Sequence, residues 1–173
     1  PRAVERIAKV VPTAKIIVLL RDPVSRAYSH YQQIVRKGWE TLSFEEAVAA
    51  EPERLAPEIE RMAADPGYHS EIHRRFSYLS RGRYIEQMER VFRHFPREQV
   101  LVLKSEEALR ERQKTFDTVT GFLGVKSCSV ADVPNRRVAD YAPIDPATRE
   151  RLREQFEPDN VRLYALLGRD LGW

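Results

Sequence analysis

Apolar residues recur at two different periods along this chain, and each change of period marks an element. Val4, Ile7, Ala8 and Val11 follow the i, i+3, i+4, i+7 spacing of one helix face, and Pro12 ends that stretch. Lys15–Leu20, KIIVLL, is continuously apolar after its lysine, the pattern of a strand buried on both faces of a parallel sheet. Arg21-Asp22-Pro23 turns the chain, with Asp22 placed as an N-cap and Pro23 at the first helical position. The next helix is expected to run to about Lys37 and stop at Gly38, with Val24, Ala27, Tyr28, Tyr31 and Val35 as its apolar stripe. Ser43-Phe44-Glu45-Glu46 is a capping box. It opens a helical pattern that continues in pieces to about Ala64, before the break at Asp65-Pro66-Gly67.

Residues 68–82 read as irregular or as a short helix. Tyr84, Ile85, Met88, Val91, Phe92 and Phe95 then mark an amphipathic helix that Pro96 ends. Gln99–Leu103, QVLVL, is a second buried strand. Glu106–Arg110 reads as a short turn or helix, and Gln113–Leu123 as a helix closed by Gly124. Residues 125–145 read as a loop. Pro146–Glu157 and Pro158–Leu167 read as two closing helices. Two apolar strands separated by helices predict an α/β fold with a parallel sheet flanked by helices. Two strands are few for such a sheet, so either the chain pairs with something else or strands that belong before Pro1 are absent, leaving the fold incomplete at its N-terminus.

Composition narrows the class. The chain has 173 residues, 42% hydrophobic and 32% charged, which fits one domain with a real core. The longest apolar run, Ile16–Leu20, is far short of the roughly 20 residues of a membrane span. A net charge of +3, from 29 basic and 26 acidic residues, is too mild to argue for nucleic acid. The single cysteine, Cys128, excludes an intramolecular disulfide and fits a reducing compartment, so a cytoplasmic location is expected. Most of the basic residues are arginine, which suits bidentate recognition of phosphate or sulfate.

The candidate chemistry sits at the first strand–helix junction. Ligands of open α/β folds bind beyond the carboxyl ends of the strands, and Arg21 is the first residue past that edge. The N–H groups at the start of the next helix form a ready anion site. Ser25 and Ser29 are one turn apart and share a helix face largely distinct from the apolar stripe. An arginine fork and a serine hydroxyl beside a helix N-terminus can hold a phosphate through charge-assisted bonds. The same residues also admit a plainer reading, with Arg21 in a local salt bridge and Ser29 solvated.

The stretch LLRDPVSRAYSHY, Leu19–Tyr31, resembles the second nucleotide signature of sulfotransferases that use 3′-phosphoadenosine 5′-phosphosulfate (PAPS). It is most similar to the bacterial and heparan-sulfate-type branches. Three further blocks resemble the same family in the same order: SYLSRGRYIEQMERVFRHFPREQVLVLKSEEAL, VTGFLGV, and YAPIDPATRERLREQFEPDNVRLYALLGRDLGW. The resemblance implies a P-loop-NTPase-like fold and transfer of a sulfuryl group from PAPS, leaving PAP, to a hydroxyl or amine of a small-molecule or carbohydrate acceptor. It implies that Arg21 and Ser29 bind the 3′-phosphate. It also places Arg136 or Arg137, in the loop Asn135–Tyr141, on that phosphate, although the glycine usual in that loop is missing here. The phosphosulfate loop that opens the family's fold has no counterpart, nor has the usual catalytic base. Residues 1–173 are therefore expected to be the C-terminal portion of one sulfotransferase-like domain, inactive or nearly so alone. A non-catalytic relative that binds PAP or another anionic ligand, and a helical interaction module, are the competing readings.

Other features are weaker. His69 and His73, spaced i, i+4 with Glu71 between them, suggest half of a metal site without a third ligand, and no metal is expected. His30 adjoins Ser29, while Arg81, Arg83 and Ser105 are possible ligand contacts. Tyr28 and Tyr31 read as core, and the acidic stretch Glu45–Glu60 reads as a solvated helix face.

Overall fold

A computed structural model describes residues 3–131 and 141–173. In chain order the elements are α1 (Ala3–Val10), β1 (Ile16–Leu20), α2 (Pro23–Arg36), α3 (Phe44–Ala64), α4 (Glu71–Phe76), α5 (Tyr84–His94), β2 (Val100–Lys104), α6 (Ser105–Arg110), α7 (Arg112–Leu123) and α8 (Pro146–Leu167), with 3₁₀ turns at Ser80–Gly82 and Arg97–Gln99. The fold is α/β, as the two apolar runs predict. The chain divides into two compact units. The first comprises Pro1–Arg21, Tyr84–Asp140 and Arg162–Gly172; the second comprises Asp22–Arg83 and Tyr141–Val161 with Trp173.

The first unit holds the sheet. β1 and β2 pair in parallel, in register from Ile16 opposite Val100 to Leu20 opposite Lys104. Helix α5 turns Tyr84, Ile85, Met88 and Val91 inward, the face that its apolar spacing predicts. Phe95, just past it, is almost fully buried. Helix α7 ends at Gly124, whose φ of 78° is the left-handed cap position that favours glycine.

The second unit is built on α2. Asp22 caps it by accepting from the Ser25 N–H at 2.7 Å, and Pro23 occupies the first turn, where its missing N–H costs nothing. Val24, Ala27, Tyr31 and Ile34 face the core with Phe44, Ala47, Val48, Tyr78, Leu79, Leu152 and Phe156. The buried stripe closes on Ile34 rather than on Val35, which is 36% exposed. Tyr28 only packs against the core's edge, whereas Tyr31 lies within it.

Three expectations are corrected here. Helix α3 is continuous, not in pieces, although Pro52 and Pro57 lie within it. Helix α8 likewise runs unbroken through Pro158 instead of forming two helices. An interior proline removes one helical bond and crowds the preceding turn. In α3 that cost is offset by burial of Phe44, Ala47, Val48 and Leu55, and in α8 by burial of Leu152, Phe156 and Leu163. The acidic stretch Glu45–Glu60 is not a uniformly solvated face either, because Glu51 and Glu58 are buried.

Candidate functional site

Arg21 stands directly after β1. Leu20 opposite Lys104 closes the parallel pair, and Arg21 and Ser105 are the residues that follow at its carboxyl edge. Arg21 is half-buried, and no described residue hydrogen-bonds or ion-pairs with its guanidinium. The local salt bridge of the plainer reading is thus not made among the described residues.

The first turns of α2 belong to the second unit. Ser25 and Ser29 are both half-buried, and the Ser29 hydroxyl has no described hydrogen-bond partner. A residue not singled out in the sequence joins this face. Arg149, in the first turn of α8, places Nη1 3.4 Å from Ser25 Oγ and 3.8 Å from Asp22 Oδ1. Its backbone is held firmly. Asp145 accepts from the Thr148 N–H at 2.8 Å, Thr148 Oγ1 donates to Glu45 at 2.9 Å, and Ile144 and Leu152 are buried to either side. The sequence places the start of this helix at Pro146 but does not show its neighbour.

Arg136 and Arg137 lie outside the described residues. The chain that follows them is anchored on α2: Tyr28 Oη donates to the Ala142 carbonyl at 2.8 Å, and the Tyr28 and Tyr141 rings meet edge to face at 5.5 Å. Tyr28 immediately precedes Ser29.

The neighbouring histidine does something else. His30 turns toward the interior, 5.2 Å from the Tyr78 ring. Burial pushes its pKa down from the ordinary 6.5 to about 4, and the positive charges of Arg26, Arg81 and Lys37 push the same way. It is neutral at pH 7 and offers an anion no charge. Arg26 donates to the Tyr78 carbonyl. Arg83 is paired with Asp159 at 3.2 Å. Glu71 is committed to Arg74 and Arg75, at 2.6 and 3.2 Å. Among the described residues no group of three or more His, Cys, Asp or Glu side chains is arranged to hold a metal ion.

Two buried carboxylates organise the rest of this unit. Glu40, its side chain 2% exposed, receives Arg54 at 2.6 and 3.2 Å, the Tyr78 hydroxyl at 3.0 Å, and the Thr41 and Leu42 N–H groups at 3.1 and 3.2 Å. Burial alone would raise its pKa; the Arg54, Leu42 and Tyr78 donors outweigh that and hold it below the usual carboxylate range. Glu51 accepts from the Leu79 and Ser80 N–H groups at 2.6 and 2.8 Å, fixing the turn that leads into Gly82. The second unit also has a groove of about 520 Å³ between α3 and α8, and it includes neither Ser25 nor Ser29.

Comparison with known proteins adds four likenesses. Residues 6–141 match the sulfotransferase domain family. Human heparan sulfate glucosamine 3-O-sulfotransferase 3B1 is 27% identical over 97% of this chain and 45% of its own length. The human 3-O-sulfotransferase 5 is 24% identical over 98% of this chain and 52% of its own. A sulfotransferase structure from Alicyclobacillus acidocaldarius superposes with a TM-score of 0.79 at 35% identity, covering 97% of this chain and 60% of that one. The chain thus spans about half the length of those human relatives.

Proposed function

This chain belongs to the sulfotransferase domain family, and from that premise we propose that it carries the part of a PAPS-dependent enzyme that holds the donor's 3′-phosphate. Arg21 supplies the planar fork for that phosphate and Ser29 a hydroxyl donor. Arg136 or Arg137 adds charge to the same phosphate. The two compact units are parts of one sulfotransferase-like domain, a reading supported by a family match that runs through both.

The observation that carries this reading is the pairing of Arg21, at the carboxyl edge of β1, with Ser29 eight residues later, both without a described partner. In the reaction an acceptor oxygen bonds to the PAPS sulfur. The bond from sulfur to the bridging phosphate oxygen breaks, a base takes the acceptor proton, and PAP leaves. Gripping the 3′-phosphate fixes the donor at a point remote from the sulfur, so binding energy gained there orients the reacting end. The acceptor is proposed to be a carbohydrate hydroxyl, by similarity to the heparan sulfate 3-O-sulfotransferases.

The test is calorimetric titration of Arg21→Ala with two ligands. PAP binding is expected to weaken by about 1.5–3 kcal/mol, the scale of a hydrogen bond to a charged group. Adenosine 5′-phosphosulfate, which lacks the 3′-phosphate, is expected to bind the variant and the parent alike. Equal losses for both ligands would refute the role of Arg21.

A further inference from the structure

We infer that Arg149 is a second guanidinium ligand of the nucleotide's 3′-phosphate, held in readiness on the first turn of α2. This rests on the reading above and extends it to a residue outside the strand–helix signature. Three observations on one unit carry it.

The first is position. Ser25 and Ser29 lie one turn apart on a single face of α2, a rise of about 6 Å. Arg149 Nη1 touches the Ser25 end of that face at 3.4 Å. A phosphate that accepts from Ser29 reaches a guanidinium one turn away, because its own oxygens and two hydrogen bonds of about 2.8 Å span that gap.

The second is the contrast between backbone and side chain. The start of α8 is pinned by Asp145, by Thr148 and by the burial of Ile144 and Leu152. The Arg149 side chain is 47% exposed, and its two contacts are long. A hydrogen bond at 3.4 Å and an ion pair at 3.8 Å in contact with solvent are weak, so redirecting the guanidinium costs little. Among the described residues both contacts are made through Nη1, which leaves the other N–H donors of the fork for a ligand.

The third is charge. Asp22 caps α2 with a carboxylate at the place where an anion would meet the helix N-terminus. That carboxylate stabilises the helix but repels a dianion. Arg149, 3.8 Å from Asp22 Oδ1, offsets the repulsion and lets one turn serve both as cap and as phosphate seat.

A purely structural role, pinning α8 to α2, is the competing account, and ligand choice separates the two. Arg149→Gln keeps a donor for Ser25 and removes the charge. It is expected to raise the Kd for PAP roughly tenfold, the effect of losing one charge-assisted bond. The Kd for adenosine 5′-phosphate and the melting temperature are expected to stay as in the parent, and Arg149→Lys to recover part of the loss. A pin predicts equal weakening of both nucleotides, or a lower melting temperature with an unchanged preference for PAP; either overturns the inference. If Arg149→Gln and Arg149→Lys both bind PAP normally while Arg21→Ala does not, Arg149 is not a ligand and the proposed function stands. If Arg21→Ala also binds PAP normally, the proposed function fails, and this inference with it.

Discussion

Glu40 and Ser29 belong to the same compact unit, yet their surroundings differ in kind. Glu40 is sealed from water, and Arg54, Tyr78 and two backbone N–H groups supply donors to it. Glu51 is likewise held by two N–H groups. The Ser29 hydroxyl has no described partner, and the Ser25 hydroxyl, among the described residues, has only the long approach of Arg149. A buried polar group without partners is costly, so those that maintain the fold find partners within the chain. The serine face of α2 is polar, half-buried and sparsely engaged, which suits a surface whose remaining partner is a ligand.

The comparison breaks most visibly at Arg54. Arg54→Met leaves the Glu40 carboxylate buried without its cation, and unfolding in urea is expected to show a loss of about 3 kcal/mol. Arg21→Ala is expected to change unfolding by no more than about 0.5 kcal/mol, as for a side chain without structural partners. Similar losses in the two variants would erase the distinction between sealed and open groups. Next comes Gly82→Ala. The added Cβ would meet Phe156 Cζ at 2.9 Å and Pro23 Cβ at 3.1 Å, an overpacking expected to cost about 1–3 kcal/mol. Since Pro23 opens α2, this core variant should also lower affinity for PAP, measured by calorimetry. Ser29→Ala should do the reverse of Arg54→Met. PAP affinity is expected to fall by about 1 kcal/mol, while unfolding stays level or gains a few tenths of a kcal/mol from alanine's helix preference.

The smallest effect is a pH dependence from His30. Its folded pKa, about 4, lies below the ordinary 6.5, so protons bind the unfolded chain first. Its contribution to stability is therefore complete above pH 6.5 and declines as the pH falls toward about 4. Glu40 acts lower. Its folded pKa is depressed, so its contribution is present above the unfolded carboxylate pKa and is lost as acid carries the pH through the folded value. His30→Gln should reduce the slope of the stability profile between pH 6.5 and 4, leaving the part due to His73, whose pKa burial also lowers, and the more acidic limb in place. An unchanged slope in that window would contradict the neutral, buried state of His30.

The junction itself was readable because its determinants are local. Asp22 as cap, Pro23 in the first turn and an apolar run ending at Leu20 all act within a few residues, and all three are present as expected. Helix continuity was not readable through Pro52, Pro57 and Pro158, because burial contributed by other elements outweighs the local cost. Glu51 reads as one more surface acid in an acidic run. Its role depends on the Leu79 and Ser80 N–H groups, 28 and 29 residues away. Arg149 was invisible for the same reason, since Ser25 lies 124 residues from it in sequence.

The central claim is that Arg21 and Ser29 together hold a 3′-phosphate, and a crystal structure of the protein with PAP tests it most directly. The account predicts the 3′-phosphate within hydrogen-bond distance, about 2.7–3.2 Å, of the Arg21 guanidinium and Ser29 Oγ. A 3′-phosphate seated away from both side chains, with the nucleotide otherwise ordered, would contradict it.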